Sequence, residues 1–286
     1  MHKTESAPQG EWNLIGNPFT TSATIGDKPF YRMNDGGTEI IAATVNTVAA
    51  MEGVFVHANS DSETVNFSTG AKRSNEGEAG LVVNLSKGGA VIDRAIVRFG
   101  EGQSLPKFQI RDNSTKVYIP QGGTDYAIAR AEGQGEMPLN FKANENGTYT
   151  LSINPEGVEM AYLHLIDNMT GADVDLLAAT STGSVASYTF NAKTTDYESR
   201  FRLVFVANSE DSSSTGSEAF AFISNGNIIV NGEGVLQVMD VLGRQLLNKQ
   251  LSTLNSQLPT VNFPAGVYVI RLINGNDVKT QKVVID

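Results

Sequence analysis

The amino-acid sequence predicts an all-β protein: a large β-sandwich, of which a jelly roll is one form, followed by a second, smaller β-module. Three observations carry that expectation. Short runs alternating apolar and polar residues, rich in Val, Ile, Thr, Tyr and Phe, recur along the chain. Clusters of Gly, Asn, Asp and Pro punctuate them at intervals of roughly eight to twelve residues, the spacing of sandwich and barrel strands. No long segment holds a helical period of about 3.6 residues.

Taken in order, Trp12 anchors the first strand beside Gly16-Asn17-Pro18. Residues 38–53 (TEIIAATVNTVAAMEG) are the best helical candidate, although Thr and Val give them weak helix propensity. Strands are expected at 54–58 (VFVHA), 95–99 (AIVRF), 107–110 (KFQI), 116–119 (KVYI), 126–129 (YAIA) and 139–143 (LNFKA). Further strands follow at 148–153 (TYTLSI), 161–166 (AYLHLI), 187–192 (SYTFNA) and 201–206 (FRLVFV). Turns separate them at 34–37 (NDGG), 86–89 (SKGG), 120–123 (PQGG), 144–147 (NENG) and 154–157 (NPEG).

The theme repeats near the end of the chain. A strand at 234–241 (GVLQVMDV) meets Leu242-Gly243-Arg244, and a second strand occupies 245–251. After the turn Pro264-Ala265-Gly266 comes 267–273 (VYVIRLI), then the hairpin signal Asn274-Gly275, whose residues both tolerate positive φ, then 278–285 (VKTQKVVI). Val267, Val269, Arg271 and Ile273 share one face of their strand, and Tyr268, Ile270 and Leu272 the other. Two largely apolar faces predict a strand inside a sandwich, not an edge ribbon.

Residues 208–218 (NSEDSSSTGSE) contain no apolar side chain. Such a run buries too little surface to offset the entropy of ordering it, so it reads as a flexible linker between a body domain, 1–207, and a C-terminal domain, 219–286. Charge divides at the same place. Residues 1–218 hold 16 Lys and Arg against 27 Asp and Glu, giving −11, and residues 219–286 hold 5 against 4, giving +1. An acidic body disfavours nucleic acid and anionic lipid as main partners, since both reward a basic footprint.

Composition excludes further classes. The chain has no cysteine, which removes disulfides, thiolate zinc sites and cysteine nucleophiles together. No apolar run reaches the roughly 18–20 residues of a membrane-spanning helix. Residues 1–10 lack the apolar centre of a secretory signal peptide, so an exported protein of this sequence is expected to be a mature portion or a fragment of a longer one.

Candidate chemistry is sparse. His57 and His164 sit mid-strand among apolar neighbours, where a hydrogen-bonded structural role outweighs a base or ligand. No Gly-x-Ser-x-Gly or His-Glu-x-x-His motif is present. Asp167, Asp173 and Asp175 are weak candidates for a shared calcium ion, and a self-capping turn is the favoured reading of Asp167-Asn168-Met169-Thr170-Gly171. The glycine-rich runs 99–103 and 133–136 open no helix and read as turns rather than phosphate cradles. Trp12, Tyr31, Tyr126 and Tyr162 are expected mainly in the core, a sugar-stacking platform being the alternative. Two carboxylates on a β-scaffold can hydrolyse glycosides, and sequence spacing neither selects nor excludes a pair.

The segments 238–247 (VMDVLGRQLL), 263–272 (FPAGVYVIRL) and 278–286 (VKTQKVVID) resemble the C-terminal sorting domain of the type IX (Por) secretion system of Bacteroidetes. The resemblance covers about the last 65 residues. It implies a small immunoglobulin-like β-sandwich that the outer-membrane machinery recognises, with removal afterwards and attachment of the cargo to surface lipopolysaccharide, or its release. Gly243, Pro264, Gly266, Tyr268, Lys279 and Lys282 are the positions it marks as signal-bearing. Gly266 is expected to give backbone freedom and Tyr268 a packed aromatic ring. The body, through 12–19 (WNLIGNPF), 97–102 (VRFGEG), 162–177 (YLHLIDNMTGADVDLL) and 190–206 (FNAKTTDYESRFRLVFV), is similar to a module of large surface proteins of the same bacteria, a likeness that implies no activity.

The expectation is therefore a secreted or cell-surface protein whose body is a non-catalytic module. It has no cofactor, nucleic-acid partner or membrane span, and its partners are the secretion machinery and surface lipopolysaccharide or glycans. A carbohydrate-binding or adhesin-type body, and a glycan-active hydrolase using two carboxylates, are the alternatives.

Overall fold

The computed structural model describes residues 1–3, 10–69, 78–109, 111, 113–177, 186–207, 220–224, 226–252, 256–275 and 277–285. The run expected as a linker, 208–218, lies outside them. Among the described residues the protein is all-β, and no helix reaches seven residues. Two compact units are present. The first comprises residues 1–133, 137–159 and 163–203; the second comprises 134–136, 160–162 and 204–286.

The early strands are β1 (Trp12–Gly16), β2 (Ala23–Thr24), β3 (Phe30–Met33), β4 (Ile40–Ala42), β5 (Thr47–Val48) and β6 (Gly53–His57). They form a four-stranded sheet of order β1-β6-β3-β4 and a two-stranded pair, β2-β5. Strand alternation gives the four-stranded sheet two apolar faces. Phe30, Val54 and Val56 point into a cluster with Ile25 and Val48. Tyr31, Ile40 and Ala42 point the other way, against Val82, Ile96, Leu105 and Ile128 of the next sheet.

That next sheet is built from β7 (Gly80–Lys87), β8 (Ala90–Phe99), β9 (Leu105–Pro106), β10 (Lys116–Gln121), β11 (Thr124–Ala131), β12 (Gln134–Lys142), β13 (Gly147–Glu156), β14 (Met160–Asp167), β15 (Ala172–Asp175), β16 (Ser187–Ala192) and β17 (Phe201–Ala207). Its order is β15-β14-β17-β12-β10-β11-β8-β7-β13-β16, with β9 paired to β11. Neighbours along this path are antiparallel wherever the register is defined, except β8 and β11, which run parallel with Ile96 opposite Ile128. The sheet bends back on itself. Phe141 of β12 lies 5.3 Å from Tyr149 of β13, although four strands of the path lie between these two. Phe190 of β16 meets Phe201 of β17 at 4.8 Å, edge to face. The expected large sandwich is thus made largely by two arms of one sheet closing on an aromatic core. The turns at 86–89 and 120–123 close hairpins through Gly88-Gly89 and Gly122-Gly123, all four residues at positive φ.

Two expectations differ from the structure. Residues 38–53 form β4 and β5, not a helix. Their carbonyls are taken by side chains: Arg94 donates to Ala42 O at 2.9 Å, and Asn17 to Val48 O and Ala49 O at 3.2 and 2.9 Å. Residues 107–109 are not a strand. The Phe108 amide donates to the Tyr31 hydroxyl at 2.9 Å instead of to a ladder, and Lys107 is drawn inward.

Lys107 Nζ lies 2.6 Å from both carboxylate oxygens of Asp93 on β8, with the two side chains only 3% and 4% exposed. The Val117 amide also donates to Asp93, at 2.8 Å. Burial pushes the Asp93 carboxyl up and the Lys107 ammonium down, and their mutual attraction opposes both shifts. Lys107→Met leaves this carboxyl buried without a cation and is expected to cost about 3–5 kcal/mol in urea unfolding, part of which Asp93→Asn in the same chain recovers.

Candidate functional site

The side chains singled out in the first unit are held by structural partners. Asp167 ends β14, is 1% exposed, and accepts from Arg200 Nε at 3.1 Å and Nη2 at 2.9 Å. The Tyr188 hydroxyl and the Met169 amide also donate to it, at 3.1 and 3.0 Å. Burial by itself raises this carboxyl, but the hydrogen bonds from Arg200, Met169 and Tyr188 together with the guanidinium charge hold it below the ordinary carboxylate range. Asp173 and Asp175 are not beside it but flank His164, whose Nδ1 lies 2.6 Å from Asp173 Oδ1 and whose Nε2 lies 3.9 Å from Asp175 Oδ1. The three candidate calcium ligands therefore do not converge, and among the described residues no group of three or more His, Asp or Glu is placed to hold a metal ion.

His57 contacts Asn59 Oδ1 at 3.2 Å and the edge of the Trp12 ring, 5.1 Å between centroids. Trp12 stacks on Phe108 at 4.5 Å and meets Tyr31 edge-on at 5.5 Å. Tyr31 and Tyr162 are buried and Tyr126 is half-buried. A polar cleft in this unit is lined by Glu39, Lys87, Arg111, Asn144 and Glu145. Each of its carboxylates faces a cation: Glu39 lies 3.6 Å from Arg111, and Glu145 is paired with Lys87.

The residues marked near the C-terminus present a different picture. Here the strands are β18 (Ala221–Ser224), β19 (Asn227–Val230), β20 (Gly234–Asp240), β21 (Gln245–Leu251), β22 (Ser256–Pro259), β23 (Gly266–Asn274) and β24 (Asp277–Ile285). They make a three-stranded sheet, β18-β19-β22, and a four-stranded one, β21-β20-β23-β24. Both sheets contribute to one core, drawn entirely from residues 220–285: Ile228, Val230 and Leu258 from one, and Leu236, Val238, Ile270 and Leu272 among others from the second. Three strands on four is the count of a constant-type immunoglobulin sandwich.

Pro264, Gly266 and Tyr268 form one knot at the start of β23. The Tyr268 hydroxyl donates to Pro264 O at 2.6 Å, closing the turn as a tyrosine corner does, and its ring meets Phe263 at 5.6 Å. The freedom expected of Gly266 is little used. At φ +158° its backbone is close to extended, and a Cβ there would have only ordinary contacts at 3.9 Å. Gly243, at φ +78°, turns the β20–β21 hairpin, where Asp240 accepts from the Leu242 and Arg244 amides, each at 2.9 Å. Register brings these features to one end of the sheet, since Asp240 and Val283 flank Tyr268, and Lys282 lies opposite Val269. Lys279 pairs with Leu272, four residues further along β23 and hence about 14 Å from that end.

Sequence reasoning missed two residues here. Gly234, at φ +133°, starts β20 against Ile273, and a Cβ would fall on the Ile273 carbonyl oxygen. Its signal was weak, one glycine beside Gly232 in a glycine-rich turn. Gln281 accepts the amides of Phe220 and Ala221 at 2.7 and 2.9 Å, so a side chain bridges β24 to β18. Asn274 also differs slightly from expectation, ending the ladder opposite Asp277 so that Gly275, at φ +61°, opens the turn.

A small sandwich at the C-terminal end, closed by a Pro-x-Gly-x-Tyr corner, has a core cluster of its own residues, as appended β-modules do. Residues 223–286 match the family described as the secretion system C-terminal sorting domain, of the type IX kind. This tail indicates export to the cell surface or the extracellular space. No curated protein and no solved structure matches the chain.

Two outcomes follow from these geometries. Asp167→Asn leaves the buried Arg200 cation with only the longer ion pair to Asp196, at 3.4 Å, and is expected to cost about 2–3 kcal/mol at neutral pH. Because the folded-state carboxyl is held low, its stabilisation is present above the ordinary carboxylate range and lost as pH falls through the lowered value. The gap between wild type and variant in denaturant titrations should therefore narrow on acidification below about pH 4. In the second unit, Gly234→Ala should destabilise by about 2–4 kcal/mol and Tyr268→Phe by about 1 kcal/mol, read from hydrogen exchange of the β20 and β23 amides.

Proposed function

We propose that this protein is a surface-displayed, non-catalytic β-sandwich module that reaches its location through recognition of its folded C-terminal domain by the outer-membrane secretion machinery. The observation that carries the reading is the sorting-domain match over 223–286, on a stretch whose core is its own. Pro264, Gly266 and Tyr268 set the turn and strand that the machinery reads, with Gly243 and Lys282 at the same end of the sheet.

For the body, the support lies in how its titratable side chains are used. A glycosidase acid is a carboxyl raised by its surroundings and open to substrate. Among the described residues, burial raises the Asp93 carboxyl, and that group is sealed against Lys107. The carboxylates of the polar cleft face Arg111 and Lys87, and His164 lies between two aspartates. These are arrangements that hold a fold together.

Removing residues 223–286 in a cell with type IX secretion should abolish surface exposure of the body, measured as protease-accessible protein on intact cells. Unchanged exposure would refute the address role. Hydrolysis of a glycan panel by the purified full chain, lost on substitution of Glu39 or Glu145, would refute the non-catalytic role.

A further inference from the structure

The tail leaves an apolar surface uncovered. Of the twelve large hydrophobic side chains exposed among the described residues, six lie in it: Val241, Leu242, Leu246, Val261, Val278 and Val284. All but Val261 belong to the four-stranded sheet or its β20–β21 hairpin. On β23 the residues facing away from the core are Val267, Val269, Arg271 and Ile273, and register aligns Met239, Val269 and Lys282 in one row across three strands. A solvated sheet face ordinarily carries polar residues. Here the outward positions of the four strands hold eight apolar residues, two cations (Arg271 and Lys282) and no carboxylate. The one acid at the hairpin, Asp240, is paired with Arg244 at 2.6 Å.

We propose that this outward face, centred on Met239, Leu246, Val269 and Val284 with the Leu242 tip, is the surface by which the tail docks on the type IX machinery, against an apolar protein surface with an acidic rim. The inference rests on the export reading above and adds the face and the partner's chemistry. Charge and size select the occupant. A second copy of the same face would set Arg271 and Lys282 against themselves. Four strands spaced about 4.8 Å apart and some 25 Å long also offer only roughly 500 Å², below the ~800 Å² per partner of a stable dimer. An area of that order suits a contact that must be released, and patches of this size on monomers are often functional. Two cations on the face are too few to hold an anionic membrane, where each contributes only about 1 kcal/mol.

Surface exposure in type IX-competent cells tests this with the full chain. Leu242→Asp/Leu246→Asp should lower the exposed fraction about tenfold or more, and Lys282→Glu should lower it several-fold. Val261→Asp, an equally apolar exposed position off this face, should leave it unchanged. Thermal melts check that each variant folds. If the double aspartate variant does not, Leu242→Ser/Leu246→Ser replaces it. A photo-crosslinking residue at position 246 should capture an outer-membrane component of the machinery, and one at position 261 should not. Normal exposure of the folded face variants overturns the docking face; if removal of 223–286 still blocks exposure, the export reading survives, and if it does not, both fall. Binding of the full chain to phosphatidylglycerol vesicles that Lys282→Glu abolishes, or a dimer in sedimentation that the double variant dissolves, would also overturn the proposed partner.

Discussion

The period of two along β23 is the constraint on which the C-terminal unit depends. Tyr268, Ile270 and Leu272 are committed to the core by their place between β20 and β24, so Val267, Val269, Arg271 and Ile273 are committed to the outside. A shift of one residue would exchange the two sets and bring Arg271 into the core. Register is fixed at both ends: by the Tyr268 to Pro264 hydrogen bond where the strand begins, and by the close approach of Gly234 to Ile273 where it finishes. The outward apolar face is thus a consequence of the same alternation that builds the core.

The first unit solves a different problem, that of closing a long sheet. Its two arms meet through rings at the centre, with Phe141, Tyr149, Phe190 and Phe201 interlocked edge to face. At the margins, buried ions replace rings. Arg200 lies over the Phe190 and Phe201 rings while bonded to Asp167, so the strand end of β14 and the start of β17 are joined through one guanidinium. Lys107 and Asp93 do the same between β8 and the segment after β9. Such pairs add little net stability over apolar substitutes, but they penalise every alternative register that would separate them.

Much of this was legible in the sequence because β-structure announces itself locally. The strands at 187–192 and 245–251 fall where the alternation puts them, and Gly88-Gly89 and Gly122-Gly123 mark their hairpins. Residues 107–109 were illegible for a long-range reason: their alternation is strand-like, but the Phe108 amide that a ladder would use is taken by the Tyr31 hydroxyl, and the Lys107 side chain is held inward by Asp93. The 80–87 strand, half of the β7–β8 hairpin, escaped notice because its apolar run LVV is nearly continuous, as in a strand buried on both faces. The tail positions were legible as a motif, whereas the geometric need for Gly234 and the bridging by Gln281 arise only when distant strands are placed side by side.

Charge and exposure together separate the two parts of the chain by role. The body's net negative charge keeps a large module well solvated, and the charged side chains that are buried in it are paired. The tail is almost neutral, and half of the large hydrophobics exposed among the described residues gather on it. A sandwich of some sixty residues gains little by leaving valine and leucine in water, and polar replacements at those positions would cost its core nothing. Retaining them is understandable if the face is covered for part of the protein's life. A surface that is apolar, slightly basic and small answers to a partner met briefly, which is what an address read during export requires.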